Sequence, residues 1–337
     1  MTTIAILGAT GYTAVELIKI LLRHPNAEIV ALTSREDFRP VDQVHPSLAG
    51  RISLPLENLT PDEISNRAEC VFSCLPHTAS AKIAPQLLAN GSKVIDFSAD
   101  YRLDSADVFK KWYGEDHPDA NRLGSVPYGL PELFRDKIKG VNLIANPGCY
   151  PTSVILPLAP LLHKGLIAPD GIILDSKSGV SGAGRKPKLN LHYVEANESI
   201  SAYGVGTHRH TPEINQILGQ ASNKKLDVIF TPHLTPMDRG ILTSAYSIPT
   251  NPNVSQQELE TTLQDFYKNE PFVQIVDALP ATKNVSGTNN CHIAVRVVGG
   301  RVLTFSVIDN LIKGASGAAV QNFNIMYNYP ETTAIMM

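Results

Sequence analysis

A cysteine stands in the segment Asn146–Thr152 (NPGCYPT), ahead of a long apolar run. Pro147 and Gly148 are typical of a break in regular structure, so Cys149 is expected where a strand ends and an apolar helix, Val154–Leu162, follows. The unpaired N–H groups and the positive dipole end of a helix lower the pKa of a nearby thiol. We therefore predict a reactive thiolate at Cys149. A small cysteine that only fills space at a strand–helix junction is the alternative.

Two histidines follow in Thr207–Glu213 (THRHTPE). Thr211 has the character of an N-cap and Pro212 suits the first helical position, so the end of this segment is structural. That pattern leaves His208 and His210 unexplained, and a nucleophilic thiol needs a base. We assign the base to His210, because the helix start fixes its backbone, and substrate binding to His208.

An apolar run, Thr3–Leu7, breaks at a glycine and is followed by the helical pattern Val15–Leu22. Gly8 permits a tight turn and Gly11 lets the backbone approach a pyrophosphate at the helix N-terminus. The position of the glycines between strand and helix favours dinucleotide binding over a plain turn. The predicted cofactor contacts in this turn are Gly8, Thr10, Gly11, Tyr12 and Thr13.

The end of the second predicted strand selects the cofactor. Ser34 and Arg35 offer a hydroxyl and a fixed cation for the 2′-phosphate of NADP, where an acidic residue would instead bind the ribose of NAD. The sequence favours NADP, although Glu36 is discordant and a solvated turn is the alternative.

Other residues with binding chemistry lie after predicted strands. Arg102 can take a substrate carboxylate or pair with Asp100. A loop at Gly179–Lys186, after a strand predicted to end at Ser178, combines glycines, serines and cations, which suits an anion. A mobile surface loop would have the same composition. Asn310 and Gly314 are expected near the nicotinamide. The further predicted contacts are Leu75, Pro76, Ser98, Ser178, Gly179 and Gly182 for the cofactor and Arg185 for the substrate.

The order of elements predicts two domains. Strands alternate with helices up to about residue 148, which indicates an α/β, doubly wound (Rossmann-type) parallel sheet. From residue 226 longer strands dominate, which indicates an α+β domain with a largely antiparallel sheet. The last helix is expected to return to the first domain. We predict an NADP-binding domain at 1–148 with 310–337, and a catalytic and oligomerisation domain at 149–309.

The composition narrows the class of partner. The 337 residues are 43% hydrophobic, and the net charge is −3 without a block of like charges, so neither nucleic acid nor a membrane surface is expected. No apolar run approaches the roughly 20 residues of a membrane span. The four cysteines lack C-x-x-C spacing, and the expected reducing compartment argues against disulfides. No metal site is expected. We expect a cytoplasmic protein with a small-molecule substrate.

A dinucleotide domain followed by a helix-capped cysteine indicates reduction of an acyl group held as a thioester. A cysteine–histidine hydrolase would need the same pair but has no use for Gly8, Gly11 and Arg35. A non-catalytic NADP-sensing protein is the alternative from another class, and it has no reason to keep a thiolate at Cys149.

The motifs resemble, in order and over nearly the whole chain, those of N-acetyl-gamma-glutamyl-phosphate reductases of arginine biosynthesis. The matching segments are Gly8–Tyr12, Tyr128–Glu132, Asn146–Thr152, Ser178–Gly184, His208–Glu213 and Asp309–Gly314. The resemblance implies NADPH-dependent reduction of N-acetyl-L-glutamyl 5-phosphate to the 5-semialdehyde with release of phosphate, by a homo-oligomer (dimer or tetramer). Within these motifs, Asn146 and Glu213 are further predicted substrate contacts.

Two relatives of this chemistry remain as alternatives. Aspartate-semialdehyde dehydrogenases share the architecture, but their nucleophile usually follows an asparagine directly, whereas here it follows Gly148. Carrier-linked aminoadipyl phosphate reductases look much alike, so the sequence by itself leaves the acyl chain open.

Overall fold

The computed structural model describes residues 1–336, which form two compact units. The first comprises Met1–Pro147 together with the chain from Ala315 onward, and the second comprises Gly148–Gly314. Among the described residues, no helix has the length and apolar character needed to cross a membrane.

The first unit is built on six parallel strands in the order β3-β2-β1-β4-β5-β6. The strand order reverses between β1 and β4, the position where doubly wound sheets bind ligands. The strands are β1 (Thr2–Leu7), β2 (Ala27–Thr33), β3 (Leu56–Glu57), β4 (Cys70–Ser73), β5 (Lys93–Asp96) and β6 (Leu143–Ala145). The helices between them are α1 (Tyr12–Leu21), α2 (Val41–Val44), α3 (Pro61–Arg67), α4 (Ala79–Ala89), α5 (Ala106–Tyr113) and α6 (Pro131–Ile138).

The second unit has a mixed, mostly antiparallel sheet of seven strands in the order β11-β12-β13-β10-β7-β9-β8. Only the pairs β11–β12 and β7–β9 are parallel. The strands are β7 (Ile173–Gly179), β8 (Ser201–Ala202), β9 (Ile229–Thr235), β10 (Ile241–Ser247), β11 (Val273–Ile275), β12 (Cys291–Val298) and β13 (Arg301–Ile308). The helices are α7 (Cys149–His163), α8 (Tyr193–Ala196), α9 (Thr211–Ser222) and α10 (Gln256–Tyr267). The predicted fold class is confirmed.

Helix α7 is the central element of the second unit, and its residues from Tyr150 to Leu162 are all buried. Ser153 and Thr243 share a hydroxyl–hydroxyl bond of 2.8 Å that joins α7 to β10. The hydroxyl of Tyr267 in α10 donates to the carbonyl of Leu156 at 2.6 Å. These bonds and the apolar burial fix the helix that begins with the predicted nucleophile.

The chain returns to the first unit through a π-helical turn, Ile312–Ser316, and helix α11 (Gly317–Met326), whose residues are all buried. It re-enters the first unit at Ala315. The predicted extents of the NADP-binding domain and of the catalytic and oligomerisation domain stay predictions.

Two predicted helix starts were wrong. Helix α7 begins at Cys149 instead of Val154, because Gly148 adopts an extended backbone (φ −72°, ψ 153°) and the first turn is too polar to follow an apolar pattern. Helix α9 begins at Thr211, so its N-cap is His210. The backbone of His210 is already in the right-handed helical region (φ −80°, ψ −14°), which leaves Thr211 inside the first turn.

Candidate active site

Cys149 is the first residue of α7 and carries a reduced, half-buried thiol. The helix has no acidic residue in its first turn, so no carboxylate on that turn offsets its positive end. The first intrahelical bond runs from the N–H of Thr152 to the carbonyl of Gly148 (3.0 Å). Pro151 has no N–H, which leaves the N–H groups of Cys149 and Tyr150 as the donors of the helix start. This is a setting for a thiolate and for an oxyanion.

A buried carboxylate ties this helix start to the next helix. Glu213, only 1% exposed, accepts the N–H of Gly148 through Oε1 at 2.8 Å. Because Glu213 lies in the first turn of α9 and His210 caps the same helix, the bond joins the residue before Cys149 to the histidine segment. The predicted substrate contact of Glu213 stays a prediction, since one of its oxygens already has this structural role.

The two histidines lie side by side, with ring centroids 4.9 Å apart. The Nδ1 atom of His208 accepts the backbone N–H of His210 at 3.1 Å. Burial, with a smaller effect of Arg209, lowers the pKa of His208 to about 4. His208 is therefore neutral at pH 7 with its proton on Nε2, which makes Nε2 a hydrogen-bond donor. A donor suits the predicted substrate-binding role of His208 and leaves the role of base to His210.

Tyrosines surround His208, a feature that the sequence reasoning missed. The His208 ring packs edge-on against Tyr150 (5.5 Å), Tyr203 (5.5 Å) and Phe230 (5.3 Å). The hydroxyls of Tyr150 and Tyr203 lie 3.0 Å apart. Burial raises the pKa of Tyr203 to about 12 and raises the pKa of Tyr150 still further. The hydroxyls of Tyr150 and Tyr203 both stay neutral. The rings of these tyrosines and of Phe230 form an apolar wall that keeps His208 uncharged.

Gly314 lies directly against Cys149, the predicted nucleophile. A Cβ atom placed on Gly314 would be 2.7 Å from the Cβ of Cys149 and 3.1 Å from its Cα. Real Cβ atoms do not approach that closely, so the residue beside Cys149 has to be glycine. The predicted cofactor contact of Gly314 remains untested, and its packing against Cys149 is the role that the structure gives it.

The glycine-rich loop after β7 meets Asn310. Asn310 is 2% exposed, donates to the Ser181 hydroxyl at 3.0 Å and accepts the N–H of Gly240 at 2.8 Å. A Cβ at Gly182 would lie 3.1 Å from the Ser178 hydroxyl. The structure thus brings together Ser178, Gly179, Gly182 and Asn310, and it places Arg185 in an exposed position further along the loop.

The predicted cofactor turn of the first unit has the geometry of an anion site. Gly8 has a left-handed backbone (φ +73°), and a Cβ there would be 2.8 Å from the carbonyl oxygen of Cys74. Gly11 caps α1 with an extended backbone, and no acidic residue lies in the first turn. These residues fit the pyrophosphate of a dinucleotide, which needs close backbone approach and a free helix start. Thr10, Tyr12 and Thr13 complete this turn.

The other predicted cofactor residues lie at the carboxyl ends of neighbouring strands. The Ser34 hydroxyl, after β2, accepts the N–H groups of Glu36 (3.3 Å) and Asp37 (3.1 Å), and Arg35 is exposed beside it. Leu75 and Pro76 follow β4, and Ser98 follows β5 with its hydroxyl on Asp96 at 2.7 Å. Parallel strands β2, β1, β4 and β5 are adjacent, so their carboxyl ends share one edge of the sheet.

Arg102 and Asn146 are buried within the first unit (6% and 1% exposed). Arg102 donates to the carbonyls of Asn146 and Phe97, each at 2.7 Å. The Asn146 amide donates to the carbonyl of Ala315 at 3.1 Å. Their predicted contacts with substrate stay predictions, because the structure uses both side chains to hold the backbone ahead of Cys149.

Both units of the chain match known protein families. Residues 3–141 match the family model of the semialdehyde dehydrogenase NAD-binding domain, and residues 149–310 match that of the semialdehyde dehydrogenase dimerisation domain. An aspartate semialdehyde dehydrogenase II of Vibrio cholerae, complexed with ASA, has a TM-score of 0.74 at 17% identity over 97% of this chain and 98% of that one. The aspartate semialdehyde dehydrogenase of Candida albicans, solved with NADP, has a TM-score of 0.68 at 17% identity, covering 96% and 98%. The class defined by fold and site is that of the semialdehyde dehydrogenases.

Closer relatives narrow the class. An N-acetyl-gamma-glutamyl-phosphate reductase of Rhodopirellula baltica is 52% identical over 99% of this chain and 98% of the relative. That of Moorella thermoacetica is 49% identical over 99% and 98%. The chain therefore belongs to the N-acetyl-gamma-glutamyl-phosphate reductase family, and the resemblance seen in the sequence is confirmed.

Proposed function

We propose that this chain reduces N-acetyl-L-glutamyl 5-phosphate to N-acetyl-L-glutamate 5-semialdehyde and phosphate, with NADPH as reductant, as a step of arginine biosynthesis. The observation that carries the proposal is the position of Cys149 as the first residue of α7, packed against Gly314, with the rings of His208 and His210 packed against the next residue, Tyr150. Relatives that match nearly the whole chain are named for that activity.

The reaction follows from the chemistry of the residues. His210 takes the thiol proton of Cys149, and the thiolate attacks the acyl carbon of the substrate. The N–H groups at the start of α7 hold the oxyanion while the carbon–oxygen bond to phosphate breaks and His210 returns the proton to the leaving phosphate. The reduced nicotinamide supplies a hydride when it is bound. Loss of the Cys149 thiolate then releases the aldehyde.

Cofactor preference belongs to the same proposal. The family model and the neighbour solved with NADP support a nicotinamide dinucleotide. We infer NADP over NAD from the Ser34 hydroxyl and the exposed Arg35 at the end of β2, which match the needs of a 2′-phosphate.

We also infer the organisation of the chain around that chemistry. Residues 1–148 with 310–337 form the NADP-binding domain, and residues 149–309 form the catalytic and oligomerisation domain of a cytoplasmic homo-oligomer. The match of residues 149–310 to a dimerisation domain supports the oligomer, and dimer or tetramer is the expected subunit number. Sedimentation at several protein concentrations tests that number.

The reverse reaction tests the activity directly. Protein, NADP, phosphate and N-acetyl-glutamate semialdehyde are mixed, and the absorbance of reduced nicotinamide is followed. We expect turnover that depends on phosphate. A parallel reaction with aspartate semialdehyde separates the proposal from the aspartate-semialdehyde dehydrogenase alternative, and faster turnover of aspartate semialdehyde would refute the proposed acyl chain.

A further inference from the structure

Helix α11 carries three amide side chains that are completely buried, at Gln321, Asn322 and Asn324. A buried amide needs hydrogen-bond partners, so each of them fixes the helix to something. Asn324 donates to the carbonyls of Glu331 and Thr333, within the C-terminal segment. Asn324 also bonds the His24 ring through its Oδ1 at 2.8 Å. Asn322 differs, because one of its partners is the side chain of Asn146, which shortly precedes the predicted nucleophile in the sequence.

The first partner of Asn322 is Gly129, whose motif Tyr128–Glu132 has no part in the proposed chemistry. Asn322 donates to the carbonyl of Gly129 at 2.8 Å. A Cβ on Gly129 would lie 2.5 Å from the Asn322 Nδ2 atom and 2.7 Å from a methyl of Ile144. Gly129 itself is bonded to β6, because its N–H donates to the carbonyl of Ala145 at 2.8 Å. The glycine thus makes room for the Asn322 amide beside the strand that leads to Asn146.

The second partner of Asn322 is the Asn146 side chain, whose Oδ1 accepts from Asn322 at 3.1 Å. The other end of the Asn146 amide donates to Ala315 at 3.1 Å. The chain leaves the first unit after Pro147 and re-enters it at Ala315, so this amide joins the outgoing segment to the returning one. Within the second unit, the residues that follow and precede these segments, Cys149 and Gly314, are packed together.

We propose that Asn322 is a positioning residue for the nucleophile: by holding the Asn146 amide it fixes the outgoing and returning segments, and so the helix start that carries Cys149. The inference rests on the proposed role of Cys149. It gives the Tyr128–Glu132 motif a purpose, since Gly129 is the residue that lets Asn322 reach Asn146. Neither Asn322 nor Gly129 touches the reacting atoms in this proposal.

The consequence is kinetic. If the Asn146 side chain loses its bond to Asn322, its own bond to Ala315 is no longer held in place. We then expect the first turn of α7 to be displaced relative to the substrate, and a displacement of about 1 Å can cost roughly 100-fold in rate. We expect Asn322→Ala to lower kcat about 100-fold and to slow alkylation of Cys149 by iodoacetamide about tenfold at pH 7. The KM for the cofactor should change by less than about twofold, because uniform binding is untouched.

Asn324→Ala is the matched control, because it removes an equally buried amide from the same helix without a link to Asn146. It should lower the melting temperature by an amount similar to Asn322→Ala while leaving kcat and the alkylation rate near wild type. Burial raises the pKa of Cys70 and Cys74 to about 12, and Cys291 is completely buried. Alkylation at neutral pH is therefore expected at Cys149, and mass spectrometry verifies the site.

Asn146→Asp provides a second variant that leaves no cavity. It keeps an acceptor for Asn322 but replaces the donor to Ala315, and alkylation is measured without substrate, so that a lost substrate contact has no influence. Slower alkylation with a shifted pH profile would support the proposal. Equal losses of kcat in the Asn322 and Asn324 variants, or an unchanged alkylation rate in both the Asn322 and Asn146 variants, would overturn it. A wild-type Cys149 that does not react at neutral pH would instead refute the proposed function, and this inference with it.

Discussion

Two helix starts in this protein are locally alike and differ in the anion they can hold. Helices α1 and α7 are both capped by a glycine with an extended backbone, Gly11 (φ −80°, ψ 164°) and Gly148 (φ −72°, ψ 153°). Neither has an acidic residue in its first turn or a side-chain cap. The same local structure therefore presents the N–H groups of a first helical turn and a positive dipole end at both places.

The residues around the two helix starts differ. Before α1 the chain turns at Gly8, whose left-handed backbone lies close to the carbonyl of Cys74. A glycine turn of this kind before a helix start is typical of a phosphate site. At α7 we expect the protein to supply its own anion, the thiolate of Cys149, and Glu213 accepts the N–H of Gly148. A helix start is thus a general anion site, and whether it binds a ligand or activates a nucleophile depends on the residues around it.

Replacing the sulfur of Cys149 should have the largest effect on turnover. Cys149→Ser should lower kcat by about a thousandfold or more, because an alkoxide forms far less readily than a thiolate near neutral pH. The binding of NADP should remain, since the cofactor turn is untouched. Steady-state kinetics and a fluorescence titration with NADPH measure the two quantities, and retained turnover would falsify the thioester route.

The second largest effect on turnover is expected from the proposed base, His210. His210→Ala is expected to lower kcat by roughly two to four orders of magnitude with little change in KM, the usual contribution of a general acid–base group. His208→Ala should mainly raise KM, because it removes a neutral donor to substrate. Kinetics of both single variants across pH check this division, and control of kcat by His208 would transfer the role of base to that residue.

The proposed cofactor NADP can be probed through its 2′-phosphate, which we place at the end of β2. Arg35→Ala should weaken NADPH by about 1.5–3 kcal/mol, or roughly 10- to 150-fold, and NADH much less. Arg39→Ala is the control, because Arg39 is an exposed cation nearby that is already paired with Asp37 at 2.6 Å. Dissociation constants for both cofactors decide the point, and equal losses for NADPH and NADH would mean that Arg35 does not bind the 2′-phosphate.

The smallest expected effect concerns the turn itself. Gly8→Ala should weaken the binding of both cofactors by about tenfold, corresponding to about 1.4 kcal/mol, because the new methyl would meet the carbonyl of Cys74 and shift the turn. Gly91→Ala is matched in backbone strain (φ +89°) and has no atom within 4 Å of the added Cβ. It should lower the melting temperature without changing affinity. Unaltered cofactor binding in Gly8→Ala would argue against this turn as the pyrophosphate site.

Local signals account for what the sequence could predict. The glycines around Gly8 and the Pro147–Gly148 break mark a turn before a helix, and both turns are found in the structure. Contacts between distant segments leave no such signal. The Glu213–Gly148 bond spans 65 residues and the Asn322–Asn146 bond spans 176. Tyr203 likewise meets Tyr150 only because β8 pairs with β9. One clue was available, since amides in an otherwise apolar last helix must have buried partners.

The close approach of Gly314 to Cys149 has a consequence for conformational entropy. A cysteine side chain ordinarily samples three staggered orientations about its first torsion. The Gly314 backbone packs closely against the Cβ of Cys149. We therefore expect it to exclude the side-chain orientation in which the sulfur would point toward Gly314. This freedom is lost when the protein folds and does not have to be lost again when the substrate arrives. The ordering of the nucleophile is thus part of the folding free energy, and the activation barrier is lower by that amount.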